Sequence, residues 1–376
     1  MKRTLRQLAF ILSIILLCGM TSAYAETPGS ETVKFAYIAP LTGDSAQYGL
    51  DMQKAIELKV KQVNEAGGIN GATVVLDIYD DKNDPKEAVN IANIIVEDND
   101  VLAVFGPFSS TNAMAISPIF QREGILQYAI TASHPDVTNE GEYIFRGVRT
   151  QATESLEFVD FAYNGLGMRN IALLYINNDF GTSVSNIFEQ GFSAAGGNIV
   201  AVESFIEGQT KDFSPMLTKI KAAAPDMLFI VAFYGDTATI LNQADILDLD
   251  CAFMGVTAIV RPETIELSGE NANGLYALSG FVLDAPRENF QAFRTAFKAE
   301  YDQEVNSFTM NAYDGACIVM EGVEKVGADR KALRDHVASV TDYNGLAGVW
   351  GFDENRNPSK PLFRMQVVDG SWIVVE

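Results

Sequence analysis

Val101-Leu102-Ala103-Val104-Phe105-Gly106-Pro107-Phe108-Ser109-Ser110-Thr111 passes from five apolar residues through a Gly-Pro turn into a run of hydroxyl side chains. Five apolar residues without alternation read as a strand buried on both faces, the usual state of a strand in a parallel sheet. The hydroxyl run that follows reads as the cap of a helix, because Ser and Thr accept hydrogen bonds from the first free N–H groups. Strand, turn and capped helix together make one βα unit.

The same unit recurs on either side. Residues 33–39 read as a strand, 43–49 as a loop and 50–66 as a helix ended by Gly67-Gly68-Ile69-Asn70-Gly71. Residues 74–79 form the next strand, and Asp84-Pro85 opens a helix running to residue 98. Another strand is expected at 125–130. A second series follows, with strands at 170–176, 199–205, 226–232 and 252–256 and helices at 182–195, 215–223 and 237–245. Residues 274–282 read as a strand crossing back. Residues 290–300 and 313–326 read as helices whose aromatic and aliphatic residues fall at helical spacing. Residues 363–368 and 371–375 read as a hairpin around Asp369-Gly370. The fold class expected is α/β, with two Rossmann-like units in series, each a parallel-rich sheet flanked by helices.

Composition narrows the function. The chain has 376 residues, 48% of them hydrophobic, enough to build two packed cores. Its formal net charge of −22 excludes a nucleic-acid binder, which needs a basic footprint, and disfavours adsorption to anionic lipid. Lys2, Arg3 and Arg6, the apolar stretch 8–17 and Ala23-Tyr24-Ala25 have the layout of an export signal cleaved after Ala25. Cys18 follows Leu17, where lipoprotein processing wants a small residue, so no lipid anchor is expected. Cys251 and Cys317 are expected as free thiols.

Catalytic and cofactor signatures are missing. There is no Gly-x-Gly-x-x-Gly, no phosphate-binding loop ending in Gly-Lys-Ser/Thr, no Gly-x-Ser-x-Gly, no Cys-x-x-Cys and no His-Glu-x-x-His. With His134 and His336 the only histidines, a histidine zinc site is not expected, and neither is any other metal or cofactor. His134 follows Thr131-Ala132-Ser133 and reads as structural; His336 reads as a surface residue. Asp353, Asn355 and Asn357 imitate a calcium loop, but Pro358 stands where the glycine is required and the pattern reads as a turn. Asp80, Asp81 and Asp84 read as a helix-capping loop, with a cation site as the alternative.

What remains is a pattern for a small anion. Ser109-Ser110-Thr111 puts hydroxyls and free N–H groups at a helix N-terminus, which suits a carboxylate. Thr131-Ala132-Ser133 ends the next strand with more hydroxyls. In open parallel sheets, ligands bind outside such carboxyl ends.

These stretches also resemble a known family. Ile38-Ala39-Pro40-Leu41-Thr42-Gly43, Asn64-Glu65-Ala66-Gly67-Gly68-Ile69-Asn70-Gly71, Tyr79-Asp80-Asp81-Lys82-Asn83-Asp84-Pro85 and Gly106-Pro107-Phe108-Ser109-Ser110-Thr111 occur in order. They are followed by Lys211-Asp212-Phe213-Ser214, Ala224-Pro225-Asp226, Tyr313-Asp314-Gly315-Ala316 and Gly351-Phe352-Asp353-Glu354. The ordered set resembles the branched-chain amino-acid-binding family of periplasmic solute-binding proteins, which serve ABC transporters. The resemblance implies a type I periplasmic binding fold: lobe one at 31–150 plus 281–352, lobe two at 151–280 plus 353–376, and three hinge crossovers near 150, 280 and 352. It implies a monomer that binds a small ligand by lobe closure, performs no catalysis and delivers its cargo to a membrane permease and ATPase.

Carried over position by position, Ser110 with Ser109 would hold a ligand carboxylate, and Thr131 and Ser133 would bind carboxylate and ammonium. Tyr48 would flank the side-chain pocket. On lobe two, Phe180 stands where the family usually has tyrosine, Phe233 follows the strand that starts near Asp226, and Thr257 stands where an ammonium-pairing acid is usual. Thr257 offers no charge. Either Asp236 or another acid takes over, or the ligand is an ammonium-free carboxylate or a short amide. Asp236 also reads as a helix cap. An enzyme on the same scaffold and a sensory binding protein for a membrane receptor are the rival classes.

Overall fold

Residues 32–376 are described by a computed structural model. The export signal, its cleavage after Ala25 and Cys18 lie outside the described residues. Strands β1 (Thr32–Ala39), β2 (Thr73–Asp80), β3 (Val101–Phe105), β4 (Leu126–Ala129) and β5 (Ile144–Arg146) form a parallel sheet in the order β2-β1-β3-β4-β5. Helices α1 (Ala46–Glu65), α2 (Pro85–Glu97) and α3 (Ser110–Glu123) connect its first four strands.

After β5 the chain enters helix α4 (Gln151–Asp160) and builds a second sheet. Its parallel strands are β6 (Asn170–Ile176), β7 (Asn198–Phe205), β8 (Met227–Val231), β9 (Ala252–Gly255) and β10 (Tyr276–Ser279), in the order β10-β9-β8-β6-β7. Helices α5 (Asp179–Ala194), α6 (Ser214–Ala222), α7 (Tyr234–Ile246) and α8 (Pro262–Ser268) lie between them. The chain then adds α9 (Glu288–Tyr301), α10 (Ser307–Val326), α11 (Arg330–Ala338) and the hairpin β11 (Tyr343–Gly345) and β12 (Gly348–Trp350). It ends in the hairpin β13 (Phe363–Val368) and β14 (Ser371–Val374), which extends the second sheet antiparallel from β10.

Burial explains which apolar runs became central strands. Every residue of β3 and of β8 is buried, whereas the edge strands β2 and β7 expose part of each face. One apolar cluster joins Phe35, Phe105 and Tyr128 of the first sheet to Phe293, Phe297, Val319 and Trp350, so α9, α10 and the β12 strand cover that sheet. Ala36, Val104, Ile91 and Ile116 pack on its opposite face. The second sheet has its own core, built on Phe158, Leu173, Phe188, Phe229 and Leu278.

Local chemistry sets the ends. Asp84 caps α2 by accepting from Lys86 N, and Pro85 occupies the first turn, where its missing N–H costs nothing. Asp80 accepts from the backbone of Leu41 and Lys82, and Asp81 from Asn112 Nδ2 at 2.9 Å, so this acidic loop is bonded internally. Asp353 likewise accepts from the N–H groups of Asn355 and Asn357, a turn as its sequence suggests. Among the described residues no group of His, Cys, Asp and Glu is arranged to hold a metal ion, and Cys251 and Cys317 are free. Gly106 has φ +106°, and a Cβ there would meet Ile38 O at 2.0 Å. Only glycine lets β3 turn this close to β1.

Three elements lack the apolar periodicity that sequence reading needs. Strand β5 is three residues long, α8 is a seven-residue helix, and α4 carries too few apolar side chains to stand out. Helix α10 begins at Ser307, six residues before the expected start, because Asn306 and Thr309 form a capping box.

The two sheets meet through a polar joint. Asp51 on α1 is fully buried and accepts from Gln47 Nε2, Gln303 Nε2, Asn306 Nδ2 and Arg261 Nη2 at 2.7, 2.8, 2.8 and 2.9 Å. Arg261 comes from the second sheet's side and also binds Glu263 with Nε and Nη2, both at 2.7 Å. Its guanidinium lies 4.8 Å from the Tyr48 ring centroid and 4.7 Å from that of Tyr234. Replacing Asp51 by alanine leaves the amides of Gln47, Gln303 and Asn306 without their acceptor and leaves Arg261 with Glu263 as its one carboxylate partner. Asp51→Ala should cost about 3–5 kcal/mol, read as a lower urea midpoint at unchanged slope.

Candidate functional site

A parallel sheet delivers the carboxyl ends of all its strands to one edge, and here two such edges face each other. The loops after β3 and β4 of the first sheet and after β6, β8 and β9 of the second line one cavity of about 90 Å³. Both edges lie next to the point where strand order reverses, between β1 and β3 and between β6 and β8. A cavity of this size restricts the occupant to a small molecule.

From the first sheet, Ser109, Ser110, Thr111, Thr131 and Ser133 line it. Ser109 caps α3 by accepting from Asn112 N at 3.3 Å. The N–H groups of Ser110 and Thr111 bond to no acceptor among the described residues, which leaves two donors and the positive end of α3 toward the cavity. Ser110 Oγ accepts from His134 N at 3.2 Å, and Thr131 Oγ1 donates to Phe108 O at 2.8 Å. Ser133 Oγ accepts from Gln151 Nε2 at 3.2 Å. These bonds hold the hydroxyl rows in place.

From the second sheet come Asn178, Phe180, Phe233 and Thr257. Phe180 and Phe233 stack with centroids 5.9 Å apart, and Phe108 and Phe308 complete an aromatic wall with Met310 and Leu362. Thr257 Oγ1 donates to Glu154 Oε1 at 2.9 Å. Glu154, from the first turn of α4, thus puts an acid on the cavity wall beside Thr257. It is half-buried and lines the cavity. Burial pushes its carboxyl up to about 7, against the opposing pull of the Thr257 hydroxyl and of Arg149.

The charges around the cavity do not balance. Arg149 sits 3.5 Å from Glu157 and donates to Lys360 O at 3.1 Å. Lys360, buried at the last crossing between sheets, lies 3.8 Å from Asp314 and donates to Asn311 Oδ1 at 2.7 Å. Burial lowers its ammonium to about 8. Glu154 alone among the lining charges has no ion-pair partner among the described residues.

Two expected site residues lie elsewhere. Tyr48 is fully buried one layer behind the wall, because Phe108 and Phe308 pack against its ring at 4.9 and 4.6 Å and stand between it and the cavity. Its hydroxyl accepts from Tyr234 N at 3.0 Å, so it serves the joint between the sheets. Asp236 faces a separate, polar cavity with Asp44, Glu207 and Lys211. Phe233 lines both spaces and divides them, so Asp236 cannot pair with an occupant of the first. It is not the cap of α7 either, since that helix starts at Tyr234. Burial raises its carboxyl to about 6. His134 caps a short 3-10 turn by accepting from Asp136 N, the structural part its sequence suggested. Glu154, Asn311, Phe308 and Lys360 were missed, because none sits in a strand-end motif.

The match to known proteins runs through the whole described chain. The profile of the family described as periplasmic binding protein matches residues 32–371. The leucine-, isoleucine-, valine-, threonine- and alanine-binding protein of Pseudomonas aeruginosa is 29% identical over 360 residues, 94% of each chain. A Streptococcus pneumoniae branched-chain amino acid transporter substrate-binding protein, solved with isoleucine, is 26% identical and superposes with TM-score 0.85 over 92% of this chain and 99% of its own. A leucine-binding protein of Thermotoga maritima is 25% identical with TM-score 0.85, over 92% of this chain and 98% of its own. With two facing parallel sheets, a small cavity at their switch points and this match across nearly every described residue, the chain belongs to the periplasmic binding protein family, in the type I fold of the leucine-, isoleucine- and valine-binding proteins.

Proposed function

We propose that this protein is an extracytoplasmic solute-binding protein of an ABC importer, closing two lobes on a small amino acid and handing it to a membrane permease. The lobes are residues 31–150 with 281–352 and residues 151–280 with 353–376, and the three connections between them act as the hinge. The protein is exported, has its signal removed after Ala25 and works without a catalytic step. Relatives named for binding aliphatic amino acids support the ligand class.

Glu154 carries this reading. A carboxylate closed into a cleft without a counterion is costly, and a ligand ammonium removes that cost. The ligand's own carboxylate then takes the free N–H groups and hydroxyls at the start of α3. A ligand that touches both lobes binds the closed state and shifts its population.

Isothermal titration on protein stripped of ligand by unfolding and refolding tests this. Glu154→Gln should weaken amino-acid binding by about 2–5 kcal/mol, with little change for an ammonium-free acid of the same shape. If only ammonium-free carboxylates or amides bind, and bind the variant equally well, the amino-acid reading fails. Ser110→Ala should cost about 1–3 kcal/mol of affinity, and unchanged affinity removes Ser110 from the site.

The pH dependence follows with a definite sign. The ligand ammonium needs ionised Glu154, so binding releases a proton below about pH 7. Affinity should be level above that pH and fall about tenfold per unit below it. The ligand-free protein should respond in the opposite sense. Its folded-state carboxyl sits above the ordinary 4.5, so stability present at low pH should be lost as pH rises from 4.5 to about 7. In Glu154→Gln the affinity profile should flatten and the stability slope should shrink to the part that Asp236, itself raised to about 6, contributes, measured by titration and by thermal melts across pH 5–8.

A further inference from the structure

The α-carboxylate and ammonium of a bound amino acid are met by the start of α3 and by Glu154, and neither uses Asn311, a further polar group on the cavity wall. Asn311 on α10 is 93% buried, lines the cavity and has its Oδ1 fixed by the 2.7 Å bond from Lys360 Nζ. An ammonium can only donate, so this bond settles which end of the amide is oxygen. The Nδ2 group is left to the other side and donates to no acceptor among the described residues. It is also absent from the side-chain atoms sealed from solvent without a partner, so it has open space before it. A ligand ammonium cannot use a donor. With the two charged groups of the ligand placed elsewhere, its side chain is the part left to face that nitrogen.

We infer that the ligand's side chain carries a neutral hydrogen-bond acceptor, a hydroxyl or carboxamide oxygen, that receives Asn311 Nδ2–H while Lys360 holds the amide in that orientation. This rests on the amino-acid reading of the site. The acceptor is neutral because the nearby cations are already paired, Lys360 with Asp314 and Arg149 with Glu157. A second carboxylate would enter the cavity uncompensated. An aliphatic side chain of the same shape would leave Asn311 Nδ2 desolvated and unbonded, and that asymmetry separates the two ligand kinds.

Isosteric pairs read the difference directly. Titration of the refolded wild-type protein with threonine against valine, and asparagine against leucine, should favour at least one polar member by roughly tenfold or more. Asn311→Leu should abolish or reverse that preference. Lys360→Met, which frees the amide to turn over, should diminish it. Equal or tighter binding of both apolar members to the wild type overturns the inference, and needs no variant. So does an equal loss for both members of a pair in Asn311→Leu, which would place the ligand carboxylate on Asn311. Succinamate against 4-methylpentanoate supplies the same comparison without the ammonium. If these acids bind and amino acids do not, the Glu154 reading fails while the preference within the acid pair still decides the role of Asn311. If nothing in the panel binds, both fall.

Discussion

Parallel strands place all their carboxyl ends, and the helix N-termini that follow, on the same edge of a sheet. That directional constraint organises the rest of this molecule. Each sheet presents one edge rich in unsatisfied N–H groups and short polar loops, which is stable against water but demands a partner when covered. Turning the two edges toward each other covers both. The enclosed space then inherits donors from α3 and hydroxyls from the loops after β3, β4 and β9, with phenylalanines closing the gaps. The binding site is thus the place where two copies of one folding rule leave their polar edges.

The contacts that join the two sides are built so that each side is nearly complete by itself. Asp51 has three amide donors from its own side before Arg261 arrives, and Arg261 has both oxygens of Glu263. A buried ion pair that breaks normally leaves an uncompensated charge behind. Here separation leaves two groups that keep their local partners. Tyr48 works similarly, with its ring held by Phe108 and Phe308 and its hydroxyl meeting Tyr234 N across the joint. The cavity is different. Glu154 has the single hydroxyl of Thr257, and Asn311 has one free end, so among the described residues the protein leaves these polar groups incomplete.

Much of this was readable in the residues themselves. The βα order, the cap at Ser109, the turn at Asp369-Gly370 and the hydroxyl rows at Ser110, Thr131 and Ser133 all announce themselves locally, through apolar runs, capping residues and glycine. The Thr257 departure was equally plain, and so was the need for another acid. Which acid was not. Asp236 looked suitable because it follows a strand, but Phe233 walls it into a neighbouring space. Glu154 sits in a polar helix with no motif around it, 103 residues from the threonine it bonds.

The sequence by itself determined the two α/β units, their parallel order, the hydroxyl-capped start of α3 and the absence of a charge at position 257. These depend on neighbours within a turn or a strand, where hydrophobic period and capping chemistry act. The tertiary structure alone decided that Glu154 is the acid beside Thr257, that Tyr48 joins the sheets behind the wall, and that Lys360 bonds the Asn311 oxygen. Each depends on side chains brought together from distant elements. Burial then fixes their meaning, because a charge or amide acquires a definite partner requirement only when water is removed from around it.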